Sequence, residues 1–327
     1  MRLFTIASAA LVLCGIACLS QAQPAGNQWP KSLTLGTASP GGVYYVYGEA
    51  VAQLLTEKLG IPVNALPTQG PVHNVKLVDS GGAQLGLITM GVGLQGWTGE
   101  GEWTAGKHFQ NMRALFPMYD TTFQFVALRR SGITTLAQFD KRSVGVGPRA
   151  GTGGTYVPAI LKAVGVTAQI GNGSFTDMGK DLLGGRYDAM VMTGGVPFPA
   201  LIEAEAQEPI TFVSLTPQES EAVRKALPEL TISEIEKGTY SSLDKTYSTL
   251  GVYNFAIGRA DLPDDLVYQL VKAVFDNQAR LIKAHATAKE TLAKNVVKNT
   301  FMPFHPGAVR YYREVGVAIP DTLASAK

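Results

Sequence analysis

Apolar positions along this chain alternate between short strand-like runs and helical spacing. SLTLGT (32–37) reads as a strand and SPGG (39–42) breaks it. From Tyr47 onward Val51, Leu54, Leu55 and Leu59 recur at helical intervals until Gly60 and Pro62 end the pattern. The same order then repeats: strand VNAL (63–66), loop PTQGP, a helix over 72–78, and strand QLGLITM (84–90). That βαβαβ order predicts a parallel α/β layer.

From Met112 the pattern changes to MRALFPMY and TFQFVALRR, which read as two apolar strands parted by Asp120, Thr121 and their neighbours. Beyond them RSVGVG (142–147), GTGGTYVPAILKAVG (151–165), YDAMVMTGG (187–195) and PFPALIEAEA (197–206) repeat strand, Gly-rich loop and helix. LGVYNFAIGR (250–259) reads as a returning strand. An amphipathic helix then starts near Pro263 and uses Val267, Leu270, Val271, Val274, Phe275 and Leu281. The expected architecture is α/β with two lobes joined by hinge strands: 31–120 with 255–327 as one lobe, and 121–254 as the other.

Composition adds the compartment. Arg2, the apolar run over 3–19 and Ser20-Gln21-Ala22 read as a secretory signal peptide over 1–22, with cleavage expected after Ala22. Lipidation at Cys18 is the alternative. The two cysteines, Cys14 and Cys18, both fall in this segment, so the exported chain has no disulfide or thiolate chemistry and depends on burial. The charge-free stretch over 80–99 has the length of a membrane span, but its seven glycines argue against a continuous helix. A formal charge of +2 gives no broad attraction to nucleic acid or anionic membrane. A soluble, monomeric periplasmic protein is expected.

Glycine is abundant, at 36 positions, and much of it gathers in four strand-to-helix loops: 39–42, 70–74, 151–155 and 194–197. Such loops let backbone approach a ligand, and free N–H groups at helix starts bind anions. The carboxyl ends of strands in open α/β sheets are where ligands sit. Enzyme signatures are incomplete. GVGLQG (91–96) fits a dinucleotide fingerprint but is followed by a poor helix start, and reads as a flexible loop. Ser242-Leu243-Asp244-Lys245 lacks the companion motifs of its enzyme class. His73, His108, His285 and His305 have no metal-ligand spacing. A binding protein without catalytic residues, cofactor or metal is expected, with an exported nucleotide-dependent enzyme as the rival reading.

The runs LTLGTASPGGVYYVYGEAVAQLL (33–55), TQGPVHNVKLVDSGGAQLGLI (68–88), KRSVGVGPRAGTGG (141–154), GGRYDAMVMTGGVP (184–197), DLPDDLVYQLVKAVF (261–275) and FHPGAVRYYREVG (304–316) resemble, in order, the TAXI-type solute receptors of TRAP transporters. The resemblance implies a two-lobed periplasmic-binding-protein-like fold, each lobe a mixed, mostly parallel sheet flanked by helices. It also implies capture of a small organic acid or acidic amino acid for a TRAP-type integral-membrane permease. A sensor signalling to a membrane kinase is the alternative partner. Matched by position, the family's loops fall on Ser39, Gly42, Tyr44 and Tyr45, on Thr68, Gly70 and Asn74, and on Gly151, Thr152 and Gly153. Pro71, Thr89-Met90 and Gly154 depart from its pattern. Side-chain chemistry adds Thr89, Thr155 and Tyr253 as polar or apolar contacts, with Met90 and Gly195 beside them, and Arg149 as a carboxylate clamp. Tyr311 and Tyr312 are expected to pack.

Overall fold

The computed structural model describes residues 29–324. The signal segment, with Cys14 and Cys18, lies outside them. Strand β1 (Leu33–Gly36) leads through the Pro40-Gly41-Gly42 turn into helix α1 (Val43–Leu59), which Gly60 ends with a left-handed φ of 70°. Strand β2 (Val63–Leu66), helix α2 (Pro71–Ser80), strand β3 (Leu85–Thr89) and helix α3 (Met90–Thr98) follow. The predicted βαβαβ unit is present, with β1 parallel to both β2 and β3.

Two expectations change here. MRALFPMY and TFQFVALRR are not two strands but one, β4 (Met112–Leu128), in which every residue but Arg113 and Asp120 is buried. GVGLQG is not a loop. Its residues form most of α3, because each glycine is where a neighbour packs: Gly91 against Tyr156, Gly93 against Ile88, Phe301 and Met302, and Gly96 against Trp103 and Val75. Tertiary contact overrides glycine's poor helix propensity of about 1 kcal/mol per residue.

The second half of the sheet carries β5 (Ser143–Gly145), α4 (Thr152–Ala163), β6 (Gln169–Gly171), α5 (Phe175–Leu183), β7 (Ala189–Gly194), α6 (Pro199–Glu205), β8 (Ile210–Phe212), α7 (Pro217–Ala226) and β9 (Thr231–Ile235). The chain returns along β10 (Tyr247–Arg259) and finishes with α8 (Asp264–Asp276), α9 (Gln278–Ala284), α10 (Pro306–Glu314) and α11 (Asp321–Ala324). Phe275 of α8 stacks on Tyr311, and the Tyr312 hydroxyl donates to the Leu115 carbonyl at 2.8 Å, so both tyrosines do pack.

The sheet order is β2-β1-β3-β10-β4-β7-β5-β6, with β8 on β4 and β9 on β10. The long antiparallel strands β4 and β10 therefore belong to both halves. Residues 254–258 of β10 pair with β3, whereas 247–251 pair with β9. Likewise residues 122–127 of β4 pair with β7 in the second half. The two halves meet at Asp120-Thr121 on one strand and Tyr253-Asn254 on the other, where the register shifts in a bulge between Tyr253 and Phe255. A bulge re-aims a side chain, and here the side chain is Asn254. Among the described residues no helix is long and apolar enough to cross a membrane. None of their His, Cys, Asp or Glu side chains gather into a group of metal-binding kind.

Candidate functional site

Three helices start against one point between the halves, and each has glycine as its N-cap: Gly42 before α1, Gly70 before α2 and Gly151 before α4. None has a side-chain cap, whereas Ser174 and Thr216 cap α5 and α7 by accepting from Asp177 and Glu219 N–H. An uncapped first turn leaves backbone N–H groups without intrahelical partners and adds the positive end of the helix dipole. At α4 the first helical acceptor bond comes from Thr155 N–H to the Gly151 carbonyl at 3.0 Å, so the N–H groups of Thr152, Gly153 and Gly154 precede it. The start of α2 is blunted. Pro71 has no N–H, and Val72 N–H donates across to the Ala150 carbonyl at 3.1 Å.

These first turns border a small, partly open cavity of about 30 Å³. Its walls are Ala38, Gly42, Val43, Tyr44, Gln69, Gly70 and Pro71 from one half, and Pro148, Gly151, Thr152, Phe175, Thr193 and Gly194 from the other. Thr121 of β4 completes the lining. No charged side chain is among them. Gly70 has φ of 105°, open to glycine, and a Cβ there would stand 3.1 Å from the Gly151 Cα. A Cβ on Gly153 would overlap the Val146 carbonyl oxygen, so glycine is what lets α4 begin tight against the end of β5.

Two of the lining side chains, Tyr44 and Thr121, belong to a buried polar network. The Tyr44 hydroxyl donates to Asn254 Oδ1 at 2.5 Å and Thr121 Oγ1 donates to the same oxygen at 3.0 Å. Asn254 Nδ2 donates to the Tyr119 carbonyl at 2.6 Å. Burial pushes the Tyr44 hydroxyl well above its ordinary pKa, so it stays protonated and available as that donor. Its ring and that of Tyr47 both pack edge-on to Tyr119, at 6.2 and 5.2 Å.

A model of the NMT1-like family matches residues 35–316 of this sequence. The chain belongs to the NMT1-like family. Its fold is that of periplasmic binding proteins. The periplasmic binding protein BugD is similar over 88% of this chain and 99% of its own, at 14% identity and a TM-score of 0.56. MatC from Rhodopseudomonas palustris, solved with bound malate, is similar over 80% of this chain and 90% of its own, at 12% identity and a TM-score of 0.55. A further structure described as a periplasmic transporter matches 87% of this chain and 92% of its own, at 12% identity and a TM-score of 0.52.

In this NMT1-like chain the residues singled out from sequence divide by place. Gly42, Tyr44 and Thr152 line the cavity. Ser39, between the lining Ala38 and the Gly42 turn, has a buried Oγ with no hydrogen-bond partner among the described residues. Gly153 lies in the first turn of α4, and Thr89 is fully buried with its Oγ1 3.4 Å from Thr152 Oγ1. Gly195 is held against Tyr119 and Thr287, one residue past the lining Gly194.

The others are not brought to the cavity. Asn74 is fully buried and saturated: Nδ2 donates to the Thr37 and Leu87 carbonyls at 2.8 and 2.7 Å, and Oδ1 accepts from Thr68 Oγ1 at 2.8 Å. It holds the loop before α2 and offers nothing further. Tyr45 lies on α1 beside Glu49, whose carboxylate pushes its hydroxyl pKa up. Arg149 and Thr155 border an adjoining groove of about 850 Å³ that shares Gln69 with the cavity and whose lining also includes Lys76 and Lys162. Met90 and Tyr253 line another cleft, of about 550 Å³, with Asp120, Glu229 and Glu290. Burial, more than the neighbouring Glu290, pushes the Asp120 carboxyl up to about 6.

Sequence reasoning missed Thr121, Asn254, Phe175, Thr193 and Gln69. Thr121 and Asn254 sit inside long apolar strands, where nothing local marks a site. Their signal is the crossing of two strands distant in sequence.

Proposed function

We propose that this NMT1-like protein is a periplasmic solute receptor that captures a small organic anion, a carboxylate or acidic amino acid, by closing two lobes about the cavity. The carrying observation is the pair of uncapped, glycine-started helices α1 and α4 meeting from opposite halves at a cavity without a charged side chain. Backbone N–H groups and helix dipoles attract an anion there, and a formal cation is unnecessary. The order of segments resembling TAXI-type receptors supports delivery to a TRAP-type integral-membrane permease, and the leader read over 1–22 supports the periplasm.

The lobes are taken as 31–120 with 255–327, and 121–254, joined where β4 and β10 cross. With about 30 Å³, the cavity has room for about two water molecules. Solute entry therefore requires the halves to part. Ligand drives closure by binding the closed state better than the open one.

The test is a thermal-shift and calorimetric screen of residues 23–327 against mono- and dicarboxylates and amino acids. One class should raise the melting temperature, and Thr152→Ala should reduce that rise. If none of these anions binds, the solute class is wrong. Native mass spectrometry of the freshly purified protein, showing a retained ligand of other chemistry, would then replace it.

A further inference from the structure

We propose that Asn254 fixes the hydrogen-bond polarity of the cavity floor, and so selects anions that carry a hydrogen-bond donor beside the anionic group. This rests on the receptor reading above and names the solute class within it.

The polarity follows from counting protons. Asn254 is fully buried, and its Nδ2 faces the Tyr119 carbonyl oxygen at 2.6 Å. Turning the amide over would press Oδ1 against that oxygen at the same distance, so the orientation is fixed. Oδ1 carries no hydrogen. Both the Tyr44 hydroxyl at 2.5 Å and the Thr121 hydroxyl at 3.0 Å must therefore donate to it. Each hydroxyl has one proton, and each is spent.

Tyr44 and Thr121 both line the cavity, and they have only lone pairs left to offer a solute. The donors of the site lie elsewhere, in the first turns of α1 and α4. A bare carboxylate turned toward these hydroxyls sets oxygen against oxygen. An acid with an amino or hydroxyl group beside its carboxylate satisfies both surfaces, its anion on the helix starts and its N–H or O–H on the hydroxyl oxygens. A site built around such a hydrogen bond rejects the analogue lacking the donor, because its buried polar groups are left unpaired.

Matched acids differing only at the carbon next to the carboxylate test this by calorimetry: propionate, lactate and alanine; succinate, malate and aspartate; glutarate, 2-hydroxyglutarate and glutamate. On whichever skeleton fits, the hydroxy or amino member should bind about tenfold or more tighter than the unsubstituted one. Thr121→Val keeps shape and removes one acceptor, so the ratio of hydroxy- or amino-acid affinity to unsubstituted-acid affinity should fall severalfold. Asn254→Leu frees both hydroxyl protons to donate and should move the ratio toward one. If that variant does not fold, Thr121→Val decides alone. Equal binding of all three members by the wild type, or a preference unchanged in folded Thr121→Val, overturns the proposal and leaves the receptor reading standing. Binding by no member of any set overturns the receptor reading for organic acids, and this proposal with it.

Discussion

At the scale of single residues, burial and hydrogen-bond saturation separate supports from contacts. Asn74 stands in a segment that matches a ligand loop of TAXI-type receptors but is the first turn of α2 here, and its amide is spent on Thr37, Leu87 and Thr68. Asn74→Ala removes the donor to the Leu87 carbonyl, one of two donors to the Thr37 carbonyl, and an acceptor for the Thr68 hydroxyl, and leaves a buried gap. It should destabilise by about 2 to 4 kcal/mol, read as a lower denaturant midpoint. Thr152→Ala should change stability by less than about 1 kcal/mol while weakening the ligand-induced shift, and the opposite ranking would exchange their roles.

Asp120 gives a pH dependence. Its folded pKa of about 6 lies above the ordinary 3.8, through burial first and with Glu290 adding to it, while Ser233, Lys298 and the Thr121 N–H oppose. The folded state thus holds this proton more tightly than the unfolded chain. The contribution is fully present below pH 3.8 and is lost as pH rises through 6. Asp120→Asn mimics the protonated form, so it should stabilise the protein by about 2 to 3 kcal/mol at pH 7.5 and by little at pH 4. Denaturant midpoints of both proteins across that range measure the difference. A constant gap at all pH values would show that Asp120 is not the titrating group.

Elements show where local signals suffice and where they fail. The strand, loop and helix order over 32–90 was legible because β1, α1, β2, α2 and β3 each carry their own periodicity and are ended by glycine or proline. The glycine stop before α1 was legible for the same reason, whereas the stretch 151–155 read as a loop and only Gly151 lies outside α4. Helix α3 was not. Its three inner glycines, Gly91, Gly93 and Gly96, are placed by Tyr156, Met302, Trp103 and Val75, residues near it only in space. Strand β4 was divided in two because Asp120 looks like an interruption, whereas the sheet continues through it with the side chain turned into a cleft. The site residues Thr121 and Asn254 were invisible on the same ground, since their meeting depends on the β4 to β10 register.

Helix α3 also yields a coupling prediction. A Cβ on Gly91 would overlap the Tyr156 hydroxyl, so Gly91→Ala should lower the melting temperature despite alanine's better helix propensity. Tyr156→Phe removes the overlapping oxygen. In the double variant the loss should be smaller than the sum of the two single losses, with a coupling of about 1 kcal/mol or more in a double-mutant cycle. Additive losses would place the strain elsewhere.

For the whole molecule, the question the proposed receptor reading raises is what holds the two halves together. Away from the β4 and β10 crossing, the described bonds across the boundary include Val72 N–H to the Ala150 carbonyl at 3.1 Å, Ala200 N–H to the Gly41 carbonyl at 3.3 Å, the Gln95 amide to the Tyr156 hydroxyl at 3.3 Å, the Thr89 and Thr152 hydroxyls at 3.4 Å, and His285 Nε2 with the Pro197 carbonyl at 3.0 Å. Tyr156 in turn donates to Glu229 at 2.9 Å, and Trp103 Nε1 donates to Gln95 Oε1 at 2.9 Å, which aligns both partners. Each such bond contributes about 1 kcal/mol net. The covalent and sheet connections among the described residues run through β4 and β10, and under the receptor reading proposed above the bonds between the halves are what a ligand would tip.

An apparent affinity falls in proportion to the fraction of protein competent to bind. Gln95→Ala lies outside the cavity lining and removes one latch contact, so it should weaken solute binding by about two- to tenfold without changing the preference among solutes. Small-angle scattering supplies the complementary readout. The unliganded variant should be more extended than the unliganded wild type, and saturating solute should bring both to the same radius of gyration. An affinity loss with identical scattering in both states would mean that Gln95 acts on the solute directly. The latch would then have to be sought in the backbone bonds of Val72 and Ala200.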